Sequence, residues 1–277
     1  MNTLEQNKKA QAFQALHHGK ETLILANAWD CVSAKMVEQR GFSAIATSSA
    51  SCAWSRGYKD GEHVPPTVAL DVIKNISEVV SIPVTADIEG GYFRENLDQF
   101  EDFIGKVIAA GAVGVNIEDG YAHTERMNDT LYQMEEIKRA RKAGKSVGVD
   151  VFINARTDAM ISNKSMAEKM AICIEKATAF EEAGANGIFI PFITEMKTVE
   201  ALKKAIKLPL NILISKTLNI EELKNLGVNR ISTGARPMMA TMVQFGNLLQ
   251  QLKNSNQWEN LFAEGLTYEE LNSWFRN

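Results

Sequence analysis

The chain has 277 residues, of which 45% are hydrophobic and 23% charged, and its formal net charge is −4 at pH 7. This composition supports a sizeable core, and we expect one large α/β domain over residues 1–277. The slightly acidic balance argues against a nucleic-acid partner and against an anionic membrane surface, since both favour a basic patch. No window approaches 18 consecutive apolar residues, so no transmembrane helix is expected.

The cysteines Cys31, Cys52 and Cys173 are odd in number, and their spacing does not suggest a zinc site. A reducing compartment is the simplest interpretation of these cysteines. The N-terminal segment is polar and lacks the apolar stretch of a signal peptide. We therefore expect a cytoplasmic protein.

An N-terminal helix is predicted over residues 1–20. Eight short apolar runs, typical of buried parallel strands, follow at residues 22–26, 43–47, 82–86, 113–117, 149–153, 187–190, 210–214 and 230–233. Amphipathic segments separate them, at residues 32–40, 68–80, 97–110, 131–143, 167–183, 195–206 and 220–226. Glycines are predicted to end several of these helices: Gly41, Gly111, Gly144, Gly184 and Gly227.

The alternation of strands and helices predicts a (β/α)8 barrel of the TIM type over residues 21–236. Residues 237–277 are expected to form C-terminal helices, and they are rich in apolar side chains such as Trp258, Phe262 and Trp274. That much apolar area is unusual for a free tail. We therefore expect these helices to pack on their own barrel or on a second subunit.

Polar side chains collect where the predicted strands end. In a barrel of this type the active site lies at the carboxyl ends of the strands, so these side chains are expected to share one face. They are Asn27, Asp30, Thr47, Ser48, Ser49, Asp87, Glu89, Glu118, Asp119, Asn154, Arg156 and Asp158. The opposite ends of the strands carry bland residues, and this difference in polarity indicates a functional site.

Three of these acids indicate a metal site. Asp87 and Glu89 stand two residues apart at the end of the third strand, so their side chains point to the same side. Glu118 follows the fourth strand. Together they suit Mg²⁺, or Mn²⁺, which take oxygen ligands and keep several waters. The alternative is that each acid caps a helix or pairs with a lysine.

Arg156 at the mouth of an acidic site needs an anionic partner. It either bridges Asp158 or Glu118, or forks onto a substrate carboxylate or phosphonate, which we favour. His123 lies in a polar segment after the fourth strand, which either closes over a substrate or is an ordinary solvated loop. The run Thr47-Ser48-Ser49-Ala50-Ser51 offers hydroxyls and backbone N–H groups to a carboxylate, or is a plain serine-rich loop.

Five motifs, taken together, resemble the isocitrate lyase/phosphoenolpyruvate mutase superfamily and its phosphoenolpyruvate phosphonomutase-like members. They are Asn27-Ala28-Trp29-Asp30, Thr47-Ser48-Ser49, Ala86-Asp87-Ile88-Glu89-Gly90-Gly91-Tyr92, Asn116-Ile117-Glu118-Asp119 and Asn154-Ala155-Arg156-Thr157-Asp158. The resemblance implies a Mg²⁺-dependent barrel that acts on a small 2-oxo or 2-hydroxy carboxylate. Such enzymes form or break C–C or P–C bonds next to an enolate, which a chelated divalent cation would stabilise.

The resemblance also implies roles for particular residues. Asp87 would be the direct metal ligand, and Glu89 and Glu118 would hold metal-bound waters. Asn27, Ser48, Ser49, Ala50 and Arg156 would bind the substrate, and Arg156, Asp60 and His123 are the catalytic candidates. A terminal helix swapped between subunits is a further implication, and a homo-oligomer, dimer or tetramer, is expected.

The chain departs from the superfamily patterns at the positions that distinguish one reaction of the superfamily from another. The lyases carry a catalytic cysteine after the Glu-Asp pair, and the segment after Asp119 has none. They also place a glutamate after the proline of the sixth strand, where this chain has Phe192, and the lysine, asparagine and histidine of the phosphonomutases are not plainly present.

These departures leave three functions to weigh. We favour C–C or P–C bond cleavage through an enolate, that is, oxaloacetate-like decarboxylation or hydrolysis, or phosphonopyruvate chemistry. Decarboxylation makes the fewest demands, because CO₂ leaves without a general acid. The alternatives are a methylisocitrate- or isocitrate-type lyase with a displaced general acid, for example His123, and a non-catalytic 2-oxo acid binder.

Overall fold

The computed structural model describes residues 2–121, 124–255, 259–262 and 265–275. In this part of the chain, eight parallel strands form a closed barrel in sequence order, and β1 closes it by pairing with both β2 and β8. The strands are β1 (Leu23–Ala28), β2 (Ile45–Thr47), β3 (Val84–Asp87), β4 (Gly114–Glu118), β5 (Phe152–Arg156), β6 (Gly187–Ile190), β7 (Leu210–Leu213) and β8 (Arg230–Ser232). The predicted TIM-type barrel is confirmed.

Helices alternate with the strands and surround the barrel. They are α1 (Thr3–Leu16), α2 (Cys31–Gln39), α3 (Ser49–Trp54), α4 (Pro66–Val79), α5 (Leu97–Ala109), α6 (Thr130–Ser146), α7 (Met166–Ala183), α8 (Met196–Ala205), α9 (Ile220–Asn225), α10 (Arg236–Ser255) and α11 (Tyr268–Ser273). Short 3₁₀ turns occur at Ala159–Ile161 and Glu259–Phe262. Among the described residues, no helix combines the length and the apolar character needed to cross a membrane.

Two local predictions are wrong for identifiable reasons. Gly144 does not end its helix, because α6 runs on to Ser146 and the turn comes at Gly148, whose φ is +76°. The glycine is needed at position 144 for space, since a Cβ there would lie 2.8 Å from the carbonyl oxygen of Val149. The chain after Gly148 therefore enters its strand at Phe152, three residues later than predicted.

The N-terminal helix contacts the amino end of the barrel. Phe13 of α1 is fully buried, and its ring lies 5.3 Å from that of Phe152 on β5. His17 stacks on the same Phe152 ring at 3.9 Å. The side chain of Gln6 donates to the carbonyl oxygens of Ile108 and Ala112 at the end of α5. These contacts place α1 away from the polar ends of the strands.

The barrel interior is polar between this end and the carboxyl ends of the strands. Asn154 on β5 donates to the side chain of Asn116 on β4 at 2.8 Å. Arg230 on β8 is fully buried and donates to Ser232 at 2.9 Å, whose hydroxyl in turn donates to Asn211 on β7. These hydrogen bonds link polar side chains inside the barrel. In many such barrels the same region is filled by branched apolar side chains.

Candidate active site at the carboxyl end of the barrel

A pocket of about 560 Å³ opens at the carboxyl ends of the strands. It is lined by Ser49, Asp60, Glu89, Glu118, Arg156, Asp158, Ile161 and Phe192. The structure therefore brings together predicted site residues from β2, β3, β4, β5 and their following loops. Of the other candidates, Asn27, Ser48, Ala50 and Asp87 lie outside this lining, and His123 lies outside the described residues.

Asp87 ends β3 and is held by the serine-rich segment. Its carboxylate accepts from the backbone N–H of Ser49 at 3.1 Å and from the Ser49 hydroxyl at 2.9 Å. Its own N–H donates to the Thr47 hydroxyl at 2.9 Å. Ser49 is the first residue of α3, a short helix that sequence patterns did not predict, and the side chain of Ser48 caps it. The serine-rich segment thus orients the aspartate.

Glu89 is buried beside other acids. Its Oε2 accepts from the backbone N–H of Glu62 at 2.6 Å. Burial, together with the nearby charges of Asp60 and Asp87, raises the pKa of the Glu89 carboxyl to about 8. Without a compensating cation, this carboxyl favours its protonated form near neutral pH.

Glu118 and Asp158 both pair with Arg156. The Arg156 Nη1 lies 2.6 Å from Glu118 Oε2, while Nε and Nη2 donate to the two oxygens of Asp158 at 2.7 and 2.9 Å. Burial raises the pKa of Glu118 well above its usual range, and the guanidinium opposes that rise. Burial lowers the pKa of Arg156, but the two carboxylates outweigh it and raise the pKa above its ordinary value. Arg156 is thus engaged with both predicted bridge partners.

Asn27 is used inside the barrel end. Its Oδ1 accepts from the N–H groups of Thr233 and Gly234, and its Nδ2 donates to the carbonyl oxygen of Thr47. These bonds join the ends of β1, β2 and β8. Its observed role is to fix the loops beneath the pocket.

Backbone strain is concentrated around this site. Among the described residues, the non-glycine positions with positive φ are Glu62 (61°), Glu89 (54°), Tyr92 (65°) and Phe192 (65°). Glu89 and Phe192 line the pocket. Each such conformation costs about 1–3 kcal/mol and persists where surrounding contacts impose it, most often at functional sites.

One wall of the pocket is apolar. Phe192 follows β6 and is 49% exposed, and Ile161 after β5 is 38% exposed. The guanidinium carbon of Arg156 lies 5.7 Å from the ring of Phe189 and 5.8 Å from that of Phe192. In the described lining, Arg156 is the single cationic side chain among four carboxylates. The pocket therefore has both an acidic part, formed by the four carboxylates, and an apolar part, formed by Ile161 and Phe192.

The donor set suits a hard divalent cation. Asp87, Glu89 and Glu118 offer carboxylate oxygens, and a cation would neutralise the negative charge that, after burial, contributes to the raised pKa of Glu89. Among the described residues, however, no three acidic, histidine or cysteine side chains converge closely enough to enclose an ion between them. A hard cation at this site would therefore keep waters among its ligands beside any carboxylate oxygen.

Sequence reasoning overlooked Glu62 and the position of Phe192. Glu62 lies two residues after the candidate Asp60, and its backbone reaches Glu89 only because a left-handed turn brings it there. No apolar period or motif marks such a turn in a non-glycine residue. Phe192 was noted as a departure, but its exposure at the mouth follows from the conformation of the loop.

The fold and the pocket define a (β/α)8 barrel enzyme with an acidic site at the carboxyl ends of its strands. The family model of phosphoenolpyruvate phosphomutase matches residues 13–253. The chain belongs to this family, within the isocitrate lyase/phosphoenolpyruvate mutase superfamily, and is an enzyme of the carbon–carbon lyase or phosphonomutase-like kind.

Individual relatives agree with the family. The chain is 30% identical over 268 residues to an uncharacterized protein of Mycobacterium tuberculosis, covering 95% of this chain and 99% of that one. It is 30% identical over 207 residues to 2-methylisocitrate lyase of Escherichia coli, covering 72% and 68%. A structure of phosphonopyruvate hydrolase with oxalate and Mg²⁺ superposes with a TM-score of 0.84 at 22% identity, over 96% of this chain and 94% of that chain. This last likeness shows the fold alone.

Proposed function

We propose that the chain is a Mg²⁺-dependent enzyme that cleaves a C–C bond of a small 2-oxo carboxylate through an enolate. Decarboxylation of an oxaloacetate-like substrate is the reaction we favour. The observation that carries the proposal is that Asp87, Glu89 and Glu118 stand at or just after the carboxyl ends of β3 and β4, where burial and the charge of Asp87 raise the pKa of both glutamates, with Arg156 of β5 paired to Glu118. Mn²⁺ would serve in place of Mg²⁺, since both take oxygen ligands.

The predicted roles follow the positions of the residues. Asp87 would hold the ion directly, and Glu89 and Glu118 would hold its waters. When bound, the ion would supply positive charge beside the carboxylate and 2-oxo oxygens of the substrate, where an enolate develops negative charge. A phosphonopyruvate hydrolase of this fold has been solved with oxalate and Mg²⁺, which supports a divalent cation for this chain without assigning its ligands.

The substrate carboxylate would be bound by Ser48, Ser49 and Ala50, at the amino end of α3, with Asn27 holding the loops below. Arg156 would orient the 2-oxo acid from the opposite side. Its present partners Glu118 and Asp158 keep its guanidinium fixed across the pocket. Asp60 lines the same pocket and is a candidate for moving a proton, as is His123.

The loss of CO₂ in the favoured decarboxylation does not require a general acid. The bond between C3 and the C4 carboxylate breaks, its electron pair becomes the C2–C3 double bond of the enolate, and CO₂ leaves. A proton then adds to C3 and gives pyruvate. Phe192 and Ile161 favour this outcome, because an apolar wall stabilises neutral CO₂ better than the carboxylate from which it forms.

The charge of the lining disfavours phosphonopyruvate. A phosphonate carries more negative charge than a carboxylate, and in the described lining Arg156 is the single cation among four carboxylates. A methylisocitrate-type lyase is the second candidate, because the Escherichia coli lyase is 30% identical over 207 residues. That function needs a general acid to replace the missing cysteine, and His123 is the candidate for it.

A panel of 2-oxo acids tests the proposal. Oxaloacetate, phosphonopyruvate and methylisocitrate are each incubated with the protein and Mg²⁺, or with the protein and a chelator, and product is measured together with the thermal shift. We expect Mg²⁺-dependent formation of pyruvate from oxaloacetate above the rate with Mg²⁺ alone. Stabilisation without turnover of any compound would instead favour the non-catalytic binder, and methylisocitrate cleavage that survives His123→Ala would remove His123 from the role of acid.

The C-terminal helices support a homo-oligomer. On α10, apolar side chains are exposed at Met239, Met242, Val243, Phe245 and Leu249. Phe262 is 81% exposed and Tyr268 76%. We propose that this surface packs on a second subunit, with the terminal helices exchanged, in a dimer or tetramer. Trp258 lies outside the described residues.

The cysteines support a reducing, cytoplasmic location. Cys31, Cys52 and Cys173 are free, and the last two are buried. Burial raises the pKa of the Cys52 thiol to about 12 and that of Cys173 to about 12, so neither is an activated nucleophile.

A further inference from the structure

Arg94 lies where three loops of the active-site face meet. Its side chain is only 9% exposed. Its Nε donates to Glu62 Oε2 at 2.8 Å, and its Nη2 donates to the carbonyl oxygen of Gly120 at 2.6 Å. Its guanidinium also lies 4.2 Å from the centre of the Tyr121 ring. One side chain thus joins the loop after β3 to the loop before α4 and to the segment after β4.

The space for this guanidinium is made by a glycine. A Cβ at Gly90 would lie 1.9 Å from the guanidinium carbon of Arg94. Gly90 immediately follows Glu89, so the arginine packs directly against the backbone that carries this predicted metal-site acid. The glycine of the acidic motif therefore serves a contact within this chain as well as a turn.

Glu62 transmits the position of Arg94 to Glu89. The Glu62 carboxylate accepts from Arg94 Nε and from the backbone N–H of Tyr92 at 2.7 Å. The Glu62 backbone N–H donates to Glu89 Oε2 at 2.6 Å. Glu62, Glu89 and Tyr92 all have positive φ, a conformation that surrounding contacts must impose on non-glycine residues. The ion pair with Arg94 is such a contact.

Arg94 also holds the segment that follows Glu118. Gly120, whose carbonyl oxygen accepts from Arg94, lies two residues after Glu118. The hydroxyl of Tyr132 on α6 donates to the backbone carbonyl oxygen of Arg94 and fixes the arginine itself. The two acids that we assign to metal-bound waters are thus connected through one guanidinium.

We propose that Arg94 is a positioning residue that sets Glu89 and Glu118 relative to each other and so raises the affinity of the acidic cluster for a divalent cation. This inference rests on the proposed function, because that function assigns the two acids to the metal. Arginine suits the task since its planar fork donates in two directions at once, which lysine cannot do.

The sign of the effect separates positioning from plain charge. A cation close to a metal site repels the metal, so an Arg94 that acted only through its charge would weaken metal binding, and its removal would tighten it. An Arg94 that orients the carboxylates strengthens binding, and its removal would weaken it. Groups that orient metal ligands typically change affinity by about 10- to 100-fold.

Mn²⁺ alone is therefore titrated calorimetrically into the metal-free full chain. We expect Arg94→Met to raise the Mn²⁺ dissociation constant about tenfold or more, with Arg94→Lys between Arg94→Met and the wild type. Glu62→Gln should also raise the Mn²⁺ dissociation constant. The double variant should bind Mn²⁺ no more weakly than the weaker-binding single variant, because both substitutions break the same Arg94–Glu62 contact. If Arg94→Met does not fold, as judged by circular dichroism, Glu62→Gln carries the test.

Arg126→Met is the matched control. The guanidinium carbon of Arg126 also lies 4.1 Å from the centre of the Tyr121 ring, but Arg126 is exposed, so the Mn²⁺ affinity of this variant should equal that of the wild type. Equal or tighter Mn²⁺ binding by Arg94→Met and Glu62→Gln would overturn the inference alone. A wild-type chain that binds no Mn²⁺ would overturn the proposed function and this inference with it.

Discussion

At the residue scale, each acid of the site is held in position by a different hydrogen-bond or ion-pair donor. Asp87 accepts from Ser49, Glu89 from the backbone of Glu62, and Glu118 pairs with Arg156. Carboxylates this close would repel one another if all were ionised and unpartnered. The separate donors let the cluster exist before a cation binds.

Asp87→Asn should abolish most of the Mg²⁺-dependent activity. An amide keeps the size of the side chain and one acceptor oxygen but removes the charge that a hard cation requires. We expect the Mg²⁺ dissociation constant to rise about tenfold or more, measured by calorimetry. Asp71→Asn, at an exposed position on α4, is the matched control and should leave the affinity unchanged. Parallel losses in both variants would argue against a specific role for Asp87.

Glu136 on α6 gives a prediction for the pH dependence of stability. It is fully buried, and burial raises the pKa of its carboxyl from 4.5 to about 8, while Arg94 opposes the rise. Between these values the folded state retains a proton that the unfolded state has released. The free energy of unfolding contributed by this group therefore falls as the pH rises from 4.5 to 8.

Glu136→Gln should remove that fall. Relative to the wild type, the variant should be more stable at pH 8 than at pH 5 by on the order of 1 to 3 kcal/mol, measured by urea unfolding. Glu135→Gln, the half-exposed neighbour that pairs with Lys138, should show no such trend. A pH-independent difference for Glu136→Gln would mean that the group is ionised in the folded state.

At the scale of elements, the sequence predicts strands better than their connections. Every predicted strand exists, because a run of apolar residues buried on both faces has few alternatives. The helix α3 was not predicted, since Ser49–Trp54 is short, rich in small residues and stabilised by the Ser48 cap and by Asp87. The predicted start of β5 is too early because the preceding helix was predicted to end at Gly144. Gly144 is instead required for close packing inside that helix, and the turn occurs at Gly148.

Phe13→Ala tests the contribution of α1 to the barrel. The buried ring contacts His17 and Phe152, so its loss should leave a cavity and lower the free energy of unfolding by about 3 to 5 kcal/mol. Leu4→Ala on the same helix is the control, since Leu4 is 69% exposed and should change stability by about 0.5 kcal/mol or less. Similar small effects for both would show that α1 adds little to the stability of the barrel.

At the scale of the whole molecule, the acidic pocket and the exposed apolar surface of α10 are formed by different residues. The composition predicted a sizeable core, the alternation of strands and helices predicted the barrel, and the positions of polar residues at the strand ends predicted most of the pocket lining. The sequence left open whether Arg156 pairs with Asp158 or Glu118 or is free for a substrate, and it did not indicate that Phe192 lines the pocket, because both depend on side-chain geometry and on a loop with positive φ. Membership of the family limits the chain to a small set of related reactions, and Arg156 and Phe192 line the pocket in which one of them would take place.

The exposed face of α10 predicts self-association. Phe245→Asp should shift the chain toward smaller species in sedimentation velocity at a fixed protein concentration, because it introduces a charge into the proposed apolar interface. Leu131→Asp, an isolated exposed position on α6, should leave the distribution unchanged. A wild-type chain that is monomeric at the same concentration would contradict the proposed assembly.

The metal-dependent binding of a planar dicarboxylate tests the central proposal most directly. Oxalate has the charge and shape of a pyruvate enolate, and its titration into the wild-type protein can be followed by calorimetry with Mg²⁺ and with a chelator in its place. We predict that oxalate binds when Mg²⁺ is present and that its affinity falls by about 100-fold or more when the ion is removed. Oxalate that binds equally well in both conditions, or in neither, would contradict a Mg²⁺-dependent enolate site.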